Sequence, residues 1–195
     1  MWRCTINTDI IAIRLHGRGG QGAVTSAELV AQAAIDEGKY AQAFPAFGPE
    51  RRGAPVQAFI RISDKQIRIR AEVTEPDIVV VLDPGLLNIV KVTAGLKKNG
   101  LVVVNTKSFD NVPADIRSNY RVAVIDANLV AKETLGAPIV NTTMLGALIK
   151  ASGVVKLESL AEPLKKRFGK LAEKNLAAMK RAYDETQVKE MVTNA

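Results

Sequence analysis

Four glycines stand within residues 17–22, in the run His16-Gly17-Arg18-Gly19-Gly20-Gln21-Gly22, and Gly17, Gly19 and Gly22 fit the spacing G-x-G-x-x-G. Residues without side chains let the backbone turn sharply and come close to a phosphate. A helix starting just beyond adds unpaired N–H groups and the positive end of its dipole. Arg18 adds charge. A tight turn with close helix–strand packing asks for glycines as well, so the motif alone names no nucleotide. The second unusual run is Phe47-Gly48-Pro49-Glu50-Arg51-Arg52-Gly53-Ala54-Pro55-Val56. Paired arginines in a rigid loop can grip phosphate or carboxylate in bidentate fashion. Glu50 offers an internal ion pair to one of them, and both arrangements remain open.

Other reactive side chains are few. NAD is disfavoured, because residues 40–45, Tyr40-Ala41-Gln42-Ala43-Phe44-Pro45, hold no carboxylate where a ribose would need one. His16 is the one histidine, with no Ser, Cys or acid partner near it in sequence, so it reads as a positioning or hydrogen-bonding residue. Cys4 is the one cysteine, and a cluster takes about four thiolates. Asn141-Thr142-Thr143 can cap a helix or touch a ligand, and Asp83 and Asp126, at strand ends, have the same two readings.

The elements that must hold these residues can be read from periodicity. A first strand over residues 10–15 runs into the glycine cluster. A helix follows, with Ala27, Val30, Ala31, Ala34 and Ile35 on one face and Gly38 as its stop. A short strand at 40–43 precedes the arginine loop. Val56, Ala58, Ile60 and Ile62 alternate with Gln57, Phe59 and Arg61, and Ile67 and Ile69 resume the alternation after a turn at 63–65, which predicts an edge hairpin. Residues 78–82, 101–105 and 121–125 read as buried strands, with helices expected at 86–97, at 127–133 and from 141 to Gly153. A short strand is expected at 138–140. Ser159 and Glu162 have capping-box spacing before two basic helices near 160–168 and 170–189. This order predicts a three-layer α/β/α domain, with a mostly parallel sheet and an antiparallel edge hairpin, as one unit over 1–195.

Composition narrows the class. With 47% hydrophobic residues the chain can fill a core, and a net charge of +7 favours anionic partners. No apolar run approaches the ~20 residues of a membrane span. Residues 1–9 have no apolar signal core, and a single cysteine suits a reducing cytoplasm. Nucleic acid is not expected, since neither a stacking aromatic platform nor a helix-turn-helix arrangement stands out.

Taken in order, HGRGGQG, FPAFGPERRGAPVQAFIRISD and DIVVVLDPGLL resemble one family: the gamma subunit, or the corresponding domain in fused enzymes, of 2-oxoacid:ferredoxin oxidoreductases. The resemblance runs from about Ile11 to the C-terminal helices, and the ERRGAPV form is similar to the pyruvate branch. It implies a cytoplasmic complex with alpha-, beta- and delta-type chains that turns pyruvate, coenzyme A and oxidised ferredoxin into acetyl-CoA, CO2 and reduced ferredoxin. Thiamine diphosphate, magnesium and iron–sulfur clusters are then expected on the partner chains. The gamma component is expected to contribute to coenzyme A binding without catalysing anything alone. On this sequence the expected contacts are Gly17, Arg18, Gly19, Gly20, Gln21, Gly22, Arg51, Arg52, Gly53 and Asn141. A purely structural subunit of a 2-oxoisovalerate, 2-oxoglutarate or indolepyruvate enzyme is the alternative. An autonomous dehydrogenase is a further rival, opposed by the missing ribose carboxylate.

Overall fold

The computed structural model describes residues 10–46, 52–69 and 71–190. Cys4, Glu50, Arg51 and Arg70 lie outside the described residues. Seven strands form one sheet in the order β2-β3-β1-β4-β5-β6-β7. These are β1 (Ile10–Arg18), β2 (Tyr40–Pro45), β3 (Pro55–Ser63), β4 (Ile78–Val81), β5 (Leu101–Asn105), β6 (Arg121–Ile125) and β7 (Gln187–Lys189). Strands β1, β4, β5 and β6 are parallel neighbours, while β3 pairs antiparallel with both β1 and β2 at one edge and β7 pairs antiparallel with β6 at the other.

Strand alternation divides the apolar side chains between two layers. Val80 and Val103 face helices α1 (Ala23–Asp36), α3 (Ala127–Leu135), α4 (Asn141–Ser152), α5 (Ala161–Phe168) and α6 (Ala172–Glu185). Val79, Val81, Val102 and Val104 face the other way, onto Leu86, Val92, Leu96, Val112 and the short helix α2 (Ala114–Asn119). The three-layer architecture is therefore as the sequence predicts, with one thick helical layer and one thin one. No helix among the described residues is long and apolar enough to cross a membrane.

Five local expectations fail. The hairpin does not continue into residues 66–69, which form no strand. Strand β3 already has β1 on one edge and β2 on the other, so no edge is left for a following strand to pair with. The segment instead crosses the sheet and is pinned by side chains. Gln42 Nε2 donates to Ile67 O, Arg61 Nη2 to the carbonyls of Ala71 and Glu72, and Arg14 Nη1 to Val73 O.

The helix expected at 86–97 shrinks to a 3-10 turn, Pro84–Asn88, followed by irregular turns. Ile89, Val90, Val92 and Thr93 are β-branched and disfavour helix. The carbonyls of Val92 and Ala94 are taken by Arg14 Nη2 at 2.9 and 2.5 Å. Residues 138–140 find no sheet edge, and Val140 becomes the residue before α4. The Ser159–Glu162 capping box does not form: α5 starts after Leu160 without a side-chain cap, and Glu162 pairs with Lys165 at 2.8 Å. The last basic helix ends at Glu185, and residues 187–189 turn back as β7 against β6.

Candidate functional site

Strand β1 runs three residues past the expected end, through His16, Gly17 and Arg18, because it stays paired with β3 as far as Arg18 opposite Pro55. Beyond it Gly19 and Arg52 form a parallel bridge. Gly19 N donates to Ala54 O at 2.9 Å, and Gly53 N donates to Gly19 O at 3.1 Å. The glycine loop and the arginine loop are thus one joined surface, a relation that sequence alone leaves open. They meet where the chain leaves β1 towards β2 on one side while β4 lies on the other. In open α/β sheets this switch point, at the carboxyl ends of the strands, is where a ligand crevice forms.

Each predicted residue has a distinct place. Gly17 is buried, and a Cβ there would stand 3.2 Å from Leu82 Cδ1, so its smallness serves packing. Gly20 is the exposed tip, with φ +94°. Gly22 precedes α1 with φ +79°, and a Cβ on it would stand 2.7 Å from Asn141 Nδ2. Only glycine lets Asn141 tuck in here. As glycine, it also gives α1 no side-chain cap, so N–H groups of the first turn stay free. Helix α4 likewise starts without a side-chain cap. Asn141 does not cap it. Its residue is 6% exposed, and its Oδ1 is buried with no hydrogen-bond partner. A buried orphan acceptor beside two uncapped helix starts is the kind of polar demand a ligand satisfies.

The cations divide into bound and free. Arg18 is not the loose charge it seems in sequence. Its Nε donates to Asp83 Oδ2 at 2.7 Å and its Nη1 to Gly53 O at 3.2 Å. Gln21 braces the loop, accepting from Arg18 N at 2.7 Å through Oε1 and donating to Asp83 Oδ2 at 3.4 Å through Nε2. Arg52 is exposed, and its side chain has no ion pair among the described residues. Arg51 cannot be placed with it, lying outside them. A residue that sequence reasoning missed is Arg167, which α5 brings to the first turn of α1, its Nη2 3.2 Å from Thr25 Oγ1. No sequence signal links positions so far apart.

Asp126 takes the capping role, accepting from Leu129 N at 3.0 Å. Asn105, unremarked in the sequence, joins the strand ends: its Nδ2 donates to Leu82 O and its Oδ1 accepts from Ala127 N. His16 is 2% exposed beneath the loop, and its Nε2 accepts from Arg14 Nε at 3.1 Å. Burial first, then the Arg14 charge, lower its pKa to about 4. The ring is neutral at pH 7, with its proton assigned to Nδ1 by the Arg14 bond. It is a hydrogen-bonding residue, joined to Arg14 and to the Val92 carbonyl.

Comparison with known proteins shows the family. Residues 12–185 match the family described as pyruvate ferredoxin/flavodoxin oxidoreductase. The chain is 55% identical over 185 residues to the pyruvate/ketoisovalerate oxidoreductases common subunit gamma of Pyrococcus furiosus, covering 93% of this chain and 100% of that one. It is 54% identical over 179 residues to pyruvate synthase subunit PorC of Methanothermobacter thermautotrophicus, covering 91% and 97%. The crystal structure of the pyruvate oxidoreductase subunit PORC from Thermotoga maritima superposes with a TM-score of 0.83 at 38% identity, over 94% of this chain and 100% of that one. This chain belongs to the pyruvate ferredoxin/flavodoxin oxidoreductase family, among its gamma-type subunits.

Proposed function

We propose that this chain supplies part of the coenzyme A site in a pyruvate:ferredoxin oxidoreductase complex and is inactive alone. The observation that carries the reading is the Gly19–Arg52 bridge, which sets an exposed arginine with no ion pair among the described residues beside a glycine loop at an uncapped helix start. Coenzyme A presents a diphosphate and a 3′-phosphate, so its recognition needs several N–H donors and cations together. The free N–H groups of the first turn of α1, the backbone N–H of Gly20 and the Arg52 guanidinium supply them. Asn141 Oδ1 is available to a hydroxyl or amide donor of the same ligand. When bound, coenzyme A supplies the thiol that accepts the acetyl group. This chain's part is to bind and orient the ligand's phosphate-bearing end.

Thiamine diphosphate, magnesium and the iron–sulfur clusters are assigned to alpha-, beta- and delta-type partners, since the sequence has one cysteine. Ferredoxin is the acceptor of the assembled enzyme, which works in the cytoplasm. The chain acts there as one gamma-type domain.

In the assembled complex, Arg52→Ala raises the KM for coenzyme A roughly ten- to hundredfold, the scale of one charged hydrogen bond, about 1.5–3 kcal/mol. Pyruvate decarboxylation, followed separately before coenzyme A is added, is unchanged. An unaltered coenzyme A dependence moves the site elsewhere, and equal damage to both half-reactions makes the loop a structural element of the complex. The name shared by the Pyrococcus relative favours a second reading, in which one gamma chain serves both pyruvate and ketoisovalerate enzymes. Anaerobic affinity capture of this chain then recovers two sets of alpha- and beta-type partners, against one set if it serves pyruvate alone.

A further inference from the structure

Asp83 follows β4, and both of its carboxylate oxygens are occupied inside the protein. Oδ1 accepts from Gly85 N at 2.8 Å, and Oδ2 accepts from Arg18 Nε at 2.7 Å and from Gln21 Nε2 at 3.4 Å. Arg18 carries the connection onward through Nη1 to Gly53 O, while its own backbone N–H is held by Gln21 Oε1. Three loops, at 18–22, 52–54 and 83–85, are therefore fastened at one carboxylate. A carboxylate beside a phosphate site is repulsive unless it is neutralised, and here the arginine neutralises it.

We infer that Asp83 is a positioning residue for the ligand site. It fixes Arg18, and through Arg18 it sets the distance between the donors of the glycine loop and the exposed Arg52. Its role is to hold the loops rather than the ligand, since both of its oxygens accept hydrogen bonds from within the chain. This inference rests on the coenzyme A reading of the site. It also explains why the arginine next to the first glycine adds no free charge: its work is to tie the arginine loop down.

The test uses the assembled complex and titrates coenzyme A while following acetyl-CoA formation. Asp83→Asn keeps the shape and removes the charge. Because the side chains of the pair are 30% and 20% exposed, the expected rise in KM is moderate, about three- to tenfold, with kcat within about twofold. Asp83→Glu recovers part of the loss. The double variant Asp83→Asn/Arg18→Gln is no worse than Arg18→Gln alone, because both changes cut the same link. A fall in KM overturns the inference by showing that Asp83 acts by repelling the ligand. Effects of the single variants that multiply in the double overturn it too, since Asp83 would then act independently of Arg18. Gln21→Met loosens the same fastening without touching a charge, and raises KM in the same direction. If it leaves KM unchanged, or if both variants fail to assemble, Asp83 is a folding residue and the inference fails. Arg52→Ala, run in parallel, separates the two levels. A shift there with none in the Asp83 variants rejects the positioning role alone, and no shift in either rejects the coenzyme A reading.

Discussion

Gly146→Ala unfolds at a clearly lower urea concentration than the parent chain, with a loss of about 3 kcal/mol, and Gly146→Val loses more. The reason lies in the contact of α4 with α6. A Cβ built on Gly146 would stand 2.0 Å from Met179 O and 2.8 Å from Tyr183 N, both backbone atoms of the facing helix. No side-chain rotation relieves that approach, so the helices must separate. Alanine returns about 1 kcal/mol in helix propensity, which is smaller than the cost of opening a packed interface. The interface also holds the buried bond from Thr142 Oγ1 to Asn175 Oδ1 at 2.7 Å, which opening would strain. The measurement is the midpoint of urea unfolding with the slope unchanged. A change below about 0.5 kcal/mol would show that α4 and α6 part freely and that the close approach is incidental.

Acidification from pH 7 to pH 4 costs the folded chain about 3 kcal/mol through His16 alone. The folded-state pKa is lowered from 6.5 to about 4, chiefly by burial, with the Arg14 charge in the same direction and the Val92 carbonyl opposing. Below pH 6.5 the unfolded chain takes up a proton that the folded chain refuses. The stabilisation is therefore complete above pH 6.5 and is lost as pH falls towards 4. Between pH 6.5 and pH 5 the expected loss is about 2 kcal/mol. His16→Gln cannot titrate, and its stability stays nearly flat over that interval. Glu37 does not confuse the test. Its pKa lies below the ordinary 4.5, lowered by the N–H of Lys156, by Lys39 and by Ser159 against the raising effect of burial. Its contribution disappears only at lower pH. Parallel pH–stability curves for parent and variant would show that His16 titrates as an ordinary surface histidine.

The success of the sequence reading can be located residue by residue. The apolar runs at 78–82, 101–105 and 121–125 give the central strands directly, because a strand buried on both faces must be apolar throughout. The glycine spacing marks the β1–α1 turn, and Gly22 shows why: its φ and the space it leaves for Asn141 both exclude a side chain. Elsewhere local pattern misleads. Ile67 and Ile69 alternate as a strand would, yet both edges of β3, the strand they follow, are already taken. Residues 86–97 have an apolar helical pattern, yet Arg14 draws off the carbonyls that a helix would use.

The amino-acid order alone determined the layered α/β class, the position of the glycine loop and the family motifs, since each depends on local spacing or on the burial pattern of a single element. Tertiary structure decided which charges are available. In sequence Arg18 and Arg52 look alike, but Asp83, 65 residues further along, occupies the first, while the second is exposed with no ion pair among the described residues. It also decided that Asn141, 119 positions from Gly22 by subtraction of their numbers, enters the glycine loop with an unpartnered oxygen. Contacts between distant segments depend on how the whole sheet is ordered, and no local pattern encodes that order.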